Sequence, residues 1–164
     1  MATLHLMVGL PCSGKTTLAR KLERERSALR LTPDEWHIRL FGQDAEEPEH
    51  DARHERIEAM LWTIASRALE LGTNVILDFG FWAREEREDY RSRAKRLGAS
   101  SEVHVLNASA DELMRRLALR NALLSQTCFS IPEAKMQPWI ACFQRPTPDE
   151  LERREEWQGD ALSG

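Results

Sequence analysis

A glycine-rich stretch near the start of the chain has the residue types and the spacing that bind phosphate groups. Residues 9–16 read Gly-Leu-Pro-Cys-Ser-Gly-Lys-Thr, a full match to the pattern G-x-x-x-x-G-K-S/T. Glycines let the backbone curl, so that successive N–H groups point into one concavity around an anion. In this pattern Lys15 is expected to reach the β- and γ-phosphates of a nucleotide, and the Thr16 hydroxyl is expected to ligate Mg²⁺.

The residues on either side of this stretch fit a phosphate-binding loop. The apolar run Thr3–Val8 predicts a buried strand before it, and residues from Lys15 to about Arg26 predict a helix after it. The N-terminal end of such a helix attracts an anion. A glycine-rich turn without a nucleotide is the alternative, which this strand–loop–helix order disfavours. The predicted nucleotide contacts are Gly9, Pro11, Cys12, Ser13, Gly14, Lys15, Thr16 and Thr17.

Two carboxylates follow predicted strands and should face the nucleotide. Asp34 comes after a short strand at 28–31, and Asp78 lies near the end of a strand at 74–79. Ligands of parallel sheets bind outside the carboxyl ends of the strands. We predict that Asp34 is the base that deprotonates an acceptor hydroxyl and that Asp78 holds Mg²⁺ or orients the acceptor. The alternatives are that Asp34 only complements a helix dipole and that Asp78 pairs with Arg84.

Phosphoryl transfer also needs positive charge over the transferring group, commonly supplied by a mobile segment. Arg116 and Arg120 lie on a predicted helix that runs from the cap residue Ser109 to about Asn121. We expect these arginines to serve that purpose and place a lid region at about 115–135. The alternative is that both belong to a solvent-exposed arginine face.

Histidines and acidic residues cluster between positions 43 and 54. His50 and His54 are spaced i, i+4, as in a pair of metal ligands on a helix, but the sequence offers no obvious third ligand. A solvated helix start is therefore the favoured interpretation. The acidic residues of 43–51 could attract a cationic acceptor or form a flexible, solvated loop.

The remaining elements alternate between helix and strand. Thr32 to Glu35 has the pattern of a capping box and opens a helix to about Phe41. Further helices are predicted at about 51–71 and 83–97, another after a cap at Ser130, and a last one from Thr147; a fourth strand is predicted at 102–107. This alternation predicts an α/β fold with right-handed crossovers, a parallel sheet and helices on both faces.

Length and composition predict an ordinary globular protein. The 164 residues suit one domain, 1–164, and the formal net charge of −4 does not favour binding to long nucleic acids. No apolar run approaches the length of a membrane span, and the N-terminus has no signal-peptide pattern. Three cysteines, an odd number without metal-ligand spacing, indicate reduced thiols and a cytoplasmic location.

Four blocks together carry a resemblance to a known family. Residues 9–17, 31–36, 75–82 and 115–121 resemble the small P-loop kinase-like ATP-binding proteins, a group similar to polynucleotide 5′-kinase domains, zeta toxins and chloramphenicol phosphotransferases. The resemblance implies a three-layer P-loop NTPase fold whose parallel sheet has four strands, or five, with the order 2-3-1-4. It also implies that Asp34 is the catalytic base, as in the polynucleotide kinases, and that Arg120 is the lid arginine.

One position departs from the polynucleotide kinases. The arginine that helps them to bind a nucleic acid lies three residues after the base, where this chain has His37. We therefore expect Mg·ATP to donate its γ-phosphoryl group to a hydroxyl of a small-molecule or nucleotide-like acceptor. The alternatives are an ATP-dependent switch with slow ATPase activity, and a 5′-hydroxyl polynucleotide kinase.

Overall fold

A single parallel sheet organises the protein. The computed structural model describes residues 1–123 and 128–155. Within these ranges the strands are β1 (Thr3–Val8), β2 (Leu29–Leu31), β3 (Val75–Gly80) and β4 (Ser100–Val105), in the order β2-β3-β1-β4. All three pairings are parallel, and no fifth strand occurs in these ranges. The predicted fold class and strand order are confirmed.

Helices connect the strands and cover both faces of the sheet. In the described part of the chain they are α1 (Lys15–Glu25), α2 (Pro33–Phe41), α3 (His50–Glu70), α4 (Arg84–Arg96), α5 (Ala110–Ala122), α6 (Glu133–Cys142) and α7 (Pro148–Leu151). None of them combines the length and the apolar character that crossing a bilayer requires.

The sheet has a separate apolar core on each face. Every residue of β1 is buried, as expected for a central strand of a parallel sheet. Leu4 and Leu6 pack on one face with residues from α3 and α4, among them Leu61 and Ala94. Met7 packs on the other face with apolar residues of α1. The alternation along β1 therefore fixes which helices lie on which side.

A third cluster holds α5 and α6 beside the glycine-rich loop. It comprises Leu10, Leu113, Leu117, Ile131 and Met136. Because Leu10 belongs to the loop itself, this packing brings the basic side of α5 to the loop. The predicted lid region, 115–135, includes residues 124–127, which lie outside the described residues.

The predicted helix caps had mixed outcomes. Thr147 and Glu150 form a complete capping box at the start of α7, and the Ser109 hydroxyl accepts a bond from the backbone N–H of Glu112. The predicted cap at Ser130 is wrong, since α6 begins at Glu133 with Pro132 before it.

The box at Thr32 is also wrong, because both of its side chains have other partners. The Thr32 hydroxyl donates to Asp78 at 3.1 Å and accepts from Arg30, while Glu35 pairs with Arg30 at 3.0 Å. Tertiary contacts thus replace the local cap.

A buried ion pair fastens the segment after α6 to α4. Arg87 and Glu150 have 0% exposure each, and Arg87 Nε donates to Glu150 Oε1 at 2.7 Å. A second bond, from Arg87 Nη2 to Glu150 Oε2, measures 3.1 Å. Arg87 Nη1 also donates to the carbonyl oxygens of Phe81 and Gln144. These bonds join α4, α7 and the end of β3 into one unit.

Candidate active site

The glycine-rich loop is shaped by two glycines and two outside contacts. Gly14 has a φ of 100°, a left-handed conformation that permits the turn into α1. A Cβ on Gly9 would lie 2.6 Å from the hydroxyl oxygen of Ser13 and 3.3 Å from its Cβ, so any other residue would force Ser13 to move. The Gly9 N–H donates to the carbonyl of Gly80 at 3.0 Å, and Trp82 Nε1 donates to the Gly9 carbonyl at 3.2 Å. The end of β3 thereby anchors the loop.

Lys15 begins α1, and its side chain turns back into the glycine-rich loop. Its Nζ donates to the carbonyl oxygen of Leu10 at 2.9 Å. Burial lowers the pKa of Lys15, and the nearby carboxylates of Asp78 and Asp34 act in the opposite direction. The ammonium is thus held by the loop and faced by both predicted carboxylates.

Asp78 joins the loop to β2 through two hydroxyl groups. Its Oδ2 accepts from Thr16 at 2.7 Å and from Thr32 at 3.1 Å. Its Oδ1 is buried and has no hydrogen-bond partner among the residues described. Burial raises the pKa of Asp78, while the bond from Thr16 and the charge of Lys15 oppose that shift.

These contacts exclude the alternative in which Asp78 pairs with Arg84. Arg84, the alternative partner, bonds instead with Thr147 and Asp149 on the surface. A hydroxyl and a carboxylate with one unused buried oxygen are hard oxygen donors of the kind Mg²⁺ prefers. Thr16 and Asp78 therefore fit a magnesium site.

Asp34 has a more open setting in the same cavity. It lies in the first turn of α2, its side chain is 42% exposed, and its Oδ1 is 4.0 Å from His54 Nε2. The first turn of a helix also favours a carboxylate through the helix dipole. The position suits both that role and contact with an acceptor.

Two arginines of α5 reach the loop. Arg116 Nη1 donates to the carbonyl of Cys12 at 3.2 Å, and its Nε donates to Glu112 at 2.6 Å. Arg120 Nη2 donates to the carbonyl of Phe129 at 2.9 Å, and its Nη1 lies 3.7 Å from Cys12 Sγ. Arg120 Nε is buried and has no partner in the described part of the chain. A buried donor of this kind is available to a ligand.

Arg115, on the same helix, is a solvent-exposed arginine and provides a comparison with Arg120. Its side chain is 64% exposed and pairs with Glu112 at 2.8 Å. The alternative reading, a solvated arginine face, thus describes Arg115 and does not describe Arg120.

One large cavity brings the predicted residues together. It has a volume of about 1300 Å³ and is bounded by the loop, the start of α2, the start of α3, α5 and α6. Gly9 is the one predicted residue that does not line it. The others all do: Pro11, Cys12, Ser13, Gly14, Lys15, Thr16, Thr17, Asp34, Asp78, Arg116 and Arg120.

Beside this cavity lies a histidine cluster that the sequence did not predict. His37 is fully buried; its Nε2 bonds with Asp44 Oδ2 at 3.0 Å, and its Nδ1 lies 3.1 Å from His54 Nδ1. His37 does not line the cavity, so it does not take over the acceptor contact of the arginine in polynucleotide kinases. The sequence offered no obvious third ligand beside His50 and His54, and in the structure α2 places His37 next to them.

The sheet order and the loop define the class of this protein. A glycine-rich loop between β1 and α1, followed by Lys15 and Thr16 and faced by Asp78 at the end of β3, is a P-loop nucleotide-binding site of the kinase-like type. A family model described as an AAA domain, AAA_33, matches residues 4–146. The chain belongs to this P-loop kinase-like family.

Solved structures support the same fold. A chain of a Pnkp1/Rnl/Hen1 RNA repair complex matches with a TM-score of 0.68 and 25% identity over 86% of this chain and 43% of its own length. Kti12 from Chaetomium thermophilum, solved with ADP-AlF3, matches with a TM-score of 0.69 and 22% identity; the match covers 89% of this chain and 82% of Kti12. A gluconokinase from Sinorhizobium meliloti matches with a TM-score of 0.62 and 16% identity; the match covers 92% of this chain and 78% of the gluconokinase.

The matched lengths and identities support the fold of this chain rather than a particular substrate. This chain spans less than half of the RNA repair chain that it resembles. Comparison with curated protein sequences gives no match. The comparisons therefore support a kinase-like nucleotide-binding fold and leave the acceptor open.

Proposed function

We propose that this protein is an ATP-dependent phosphotransferase that moves the γ-phosphoryl group of Mg·ATP to a hydroxyl of a small-molecule or nucleotide-like acceptor. One observation carries the proposal: besides Lys15 and Asp78, the cavity is lined by Asp34, a carboxylate in the first turn of α2, whereas the Thr16 hydroxyl bonds with Asp78. Nucleotide binding requires one such carboxylate, whereas transfer to a hydroxyl also uses a base. The cysteine usage predicts that this activity is cytoplasmic.

The donor half of the cavity is the glycine-rich loop. Its buried Ser13 hydroxyl and the Oδ1 of Asp78 have no partners in the ranges described, and buried polar atoms of this kind normally have one. Phosphate oxygens and a metal ion would satisfy them. Thr16 and Asp78 would hold Mg²⁺, which when bound draws electron density from the phosphates. Lys15 would exchange its bond to the Leu10 carbonyl for phosphate oxygens.

In the transfer step Asp34 accepts the proton of the acceptor hydroxyl while that oxygen attacks the γ-phosphorus. The new phosphorus–oxygen bond forms as the bond to ADP breaks. Lys15 and Arg120 stabilise the negative charge on the transferring group, and Arg116 holds α5 on the loop through the Cys12 carbonyl. Closure of the lid region would exclude water from this step.

The charges near Asp34 favour a neutral or cationic small acceptor. Glu58 and Asp51 lie close enough to act on His54 together with Asp34. A second candidate, a 5′-hydroxyl polynucleotide kinase, is favoured by the likeness to the RNA repair chain. The buried His37 in place of an arginine weighs against it.

The test is transfer of labelled γ-phosphate from Mg·ATP to a pool of 5′-hydroxyl oligonucleotides, nucleosides, sugars and hydroxylated cationic compounds. Lys15→Ala is the control that removes the donor contact. Label on one acceptor class, lost in Lys15→Ala, supports the proposal and identifies the class. Phosphate release without any labelled acceptor would instead indicate an ATP-dependent switch.

A further inference from the structure

We propose that His37, His50 and His54 form a binding site for a transition-metal dication of the Zn²⁺ class, beside the acceptor half of the cavity. One ring nitrogen from each lies within 4.8 Å of the others. His37 comes from α2, while His50 and His54 come from the first turns of α3. The site therefore depends on the packing of α2 against α3.

A buried carboxylate orients two of the three rings. Asp44 is 2% exposed, and its oxygens accept from His37 Nε2 at 3.0 Å and from His50 Nδ1 at 2.8 Å. These bonds leave the lone pairs on His37 Nδ1 and His50 Nε2. Histidine ligands of metal ions characteristically donate their other N–H to a carboxylate in this way.

The third ring lies near two other carboxylates at longer distances. His54 Nε2 is 3.5 Å from Glu58 Oε1 and 4.0 Å from Asp34 Oδ1, so its Nδ1 is the nitrogen available to an ion. That Nδ1 lies 3.1 Å from His37 Nδ1. Two imidazole nitrogens at this distance need either one proton between them or one cation that binds both. A dication satisfies both lone pairs.

The surrounding charges favour a cation. Four carboxylates, Asp34, Asp44, Asp51 and Glu58, act on the cluster, and Arg53 is paired with Asp44 at 2.8 Å. Imidazole ligands select zinc and its neighbours over magnesium, which prefers oxygen. This site is therefore chemically distinct from the one at Thr16 and Asp78.

A second histidine cluster provides a comparison within the same protein. His5 and His104 lie 3.0 Å apart, with Glu102 near both. There the carboxylate pairs with Arg153 at 3.2 Å, and Arg26 acts on both rings. Two arginines beside two histidines oppose a dication, so we assign no metal to this cluster and use it as a control.

Three imidazoles leave one coordination position, as in zinc sites that bind a water or a substrate oxygen. His50 and His54 line the cavity, so a fourth ligand would come from there. A bound ion would lie close to Asp34, which is the residue proposed to meet the acceptor hydroxyl.

The test is titration of the metal-stripped protein with ZnCl₂ by calorimetry, with Co²⁺ absorption as a probe of coordination geometry. We expect one Zn²⁺ per chain and a tetrahedral Co²⁺ spectrum. His50→Gln and His54→Gln, both at partly exposed positions, should each weaken binding at least about 100-fold, and His104→Gln should not. Circular dichroism would verify that each variant is folded.

Unchanged Zn²⁺ affinity in folded His50→Gln and His54→Gln, or the absence of stoichiometric binding to the parent protein, would overturn the site and leave a proton-bridged histidine network. Lys15→Ala separates this proposal from the proposed function. That variant should lose phosphoryl transfer and keep the Zn²⁺ site, so the two proposals can fail independently.

Discussion

At the residue scale, the two cavity carboxylates to which we assign roles, Asp34 and Asp78, differ in their surroundings. Asp78 is 6% exposed and accepts bonds from Thr16 and Thr32, whereas the side chain of Asp34 is 42% exposed. A buried carboxylate fixed by hydroxyls suits a constant ligand such as a metal ion, and an accessible one suits an acceptor that must enter and leave. Environment thus supports the separate roles proposed for them.

Substitution of Arg120, the proposed lid arginine, tests a role at this same scale. Arg120→Ala removes a buried donor with a free Nε and should lower kcat for transfer by about 10³-fold, because charge on the transferring group loses its partner. Arg115→Ala, on the exposed side of α5, is the matched control and should leave kcat within about twofold. Steady-state kinetics of both variants measure this. Equal kcat values for the two would remove Arg120 from the transfer step.

At the scale of elements, contacts between helices and the segments that follow them maintain the site. α4 carries Arg87, which holds both the end of β3 and α7, and the end of β3 in turn anchors the glycine-rich loop through Gly80. Stability of α4 is therefore coupled to the geometry of the loop.

Glu86 on α4 should make stability depend on pH. Burial raises the pKa of Glu86 to about 7 from an ordinary 4.5, and the nearby Glu58 adds to the shift. Because the folded-state pKa is the higher one, the native state binds this proton more tightly, and stability falls as pH rises from about 4.5 through 7. Glu86→Gln should therefore be more stable than the parent by about 2 kcal/mol near pH 8 and by less near pH 5.

Urea unfolding at both pH values measures the effect of Glu86. Glu85→Gln, at an exposed neighbouring position, is the control and should change the free energy of unfolding by less than about 0.5 kcal/mol. A Glu86→Gln protein with the same pH dependence as the parent would contradict the assignment.

The buried Arg87–Glu150 pair should contribute far more to stability than an exposed pair nearby. Glu150→Gln leaves a buried guanidinium without its counter-charge, which costs about 3 kcal/mol or more. Asp149→Asn breaks the exposed pair with Arg84 and should cost much less stability, because water and salt screen an exposed pair. Chemical denaturation compares the two. Similar losses in both variants would show that the buried pair does not clamp α7.

The sequence predicted those features that follow from local patterns. The glycine-rich loop, the strands and the meeting of Asp34 and Asp78 at one edge of the sheet depend on motifs and on the strand-end rule. Thr32 and Pro33 begin α2 as predicted, but the side-chain capping box does not form, because the Thr32 hydroxyl bonds with Asp78, 46 residues away. The contact between His37 Nδ1 and His54 Nδ1 depends on how α2 packs against α3, and the sequence spacing of these residues does not reveal that packing.

At the scale of the whole molecule, the sheet order explains why one cavity holds both halves of the proposed transfer site. β1 and β3 are neighbours, so the loop after β1 meets Asp78 at the end of β3. β2 pairs with β3, so Asp34, at the start of the next helix, lies beside them. α5, which follows β4 on the other side of β1, brings the arginines. The groups proposed to bind the nucleotide, the acceptor and the transferring phosphoryl group thus follow the carboxyl ends of all four strands at one edge of the sheet.

The most direct measurement of this account is phosphoryl transfer by Asp34→Asn, made together with its affinity for Mg·ATP. Glu35→Gln is the control, because Glu35 is the next carboxylate on α2 and pairs with Arg30 outside the cavity. We predict that Asp34→Asn lowers kcat by about 10²- to 10⁴-fold with ATP affinity retained, and that Glu35→Gln transfers normally. Undiminished transfer by Asp34→Asn would contradict the account.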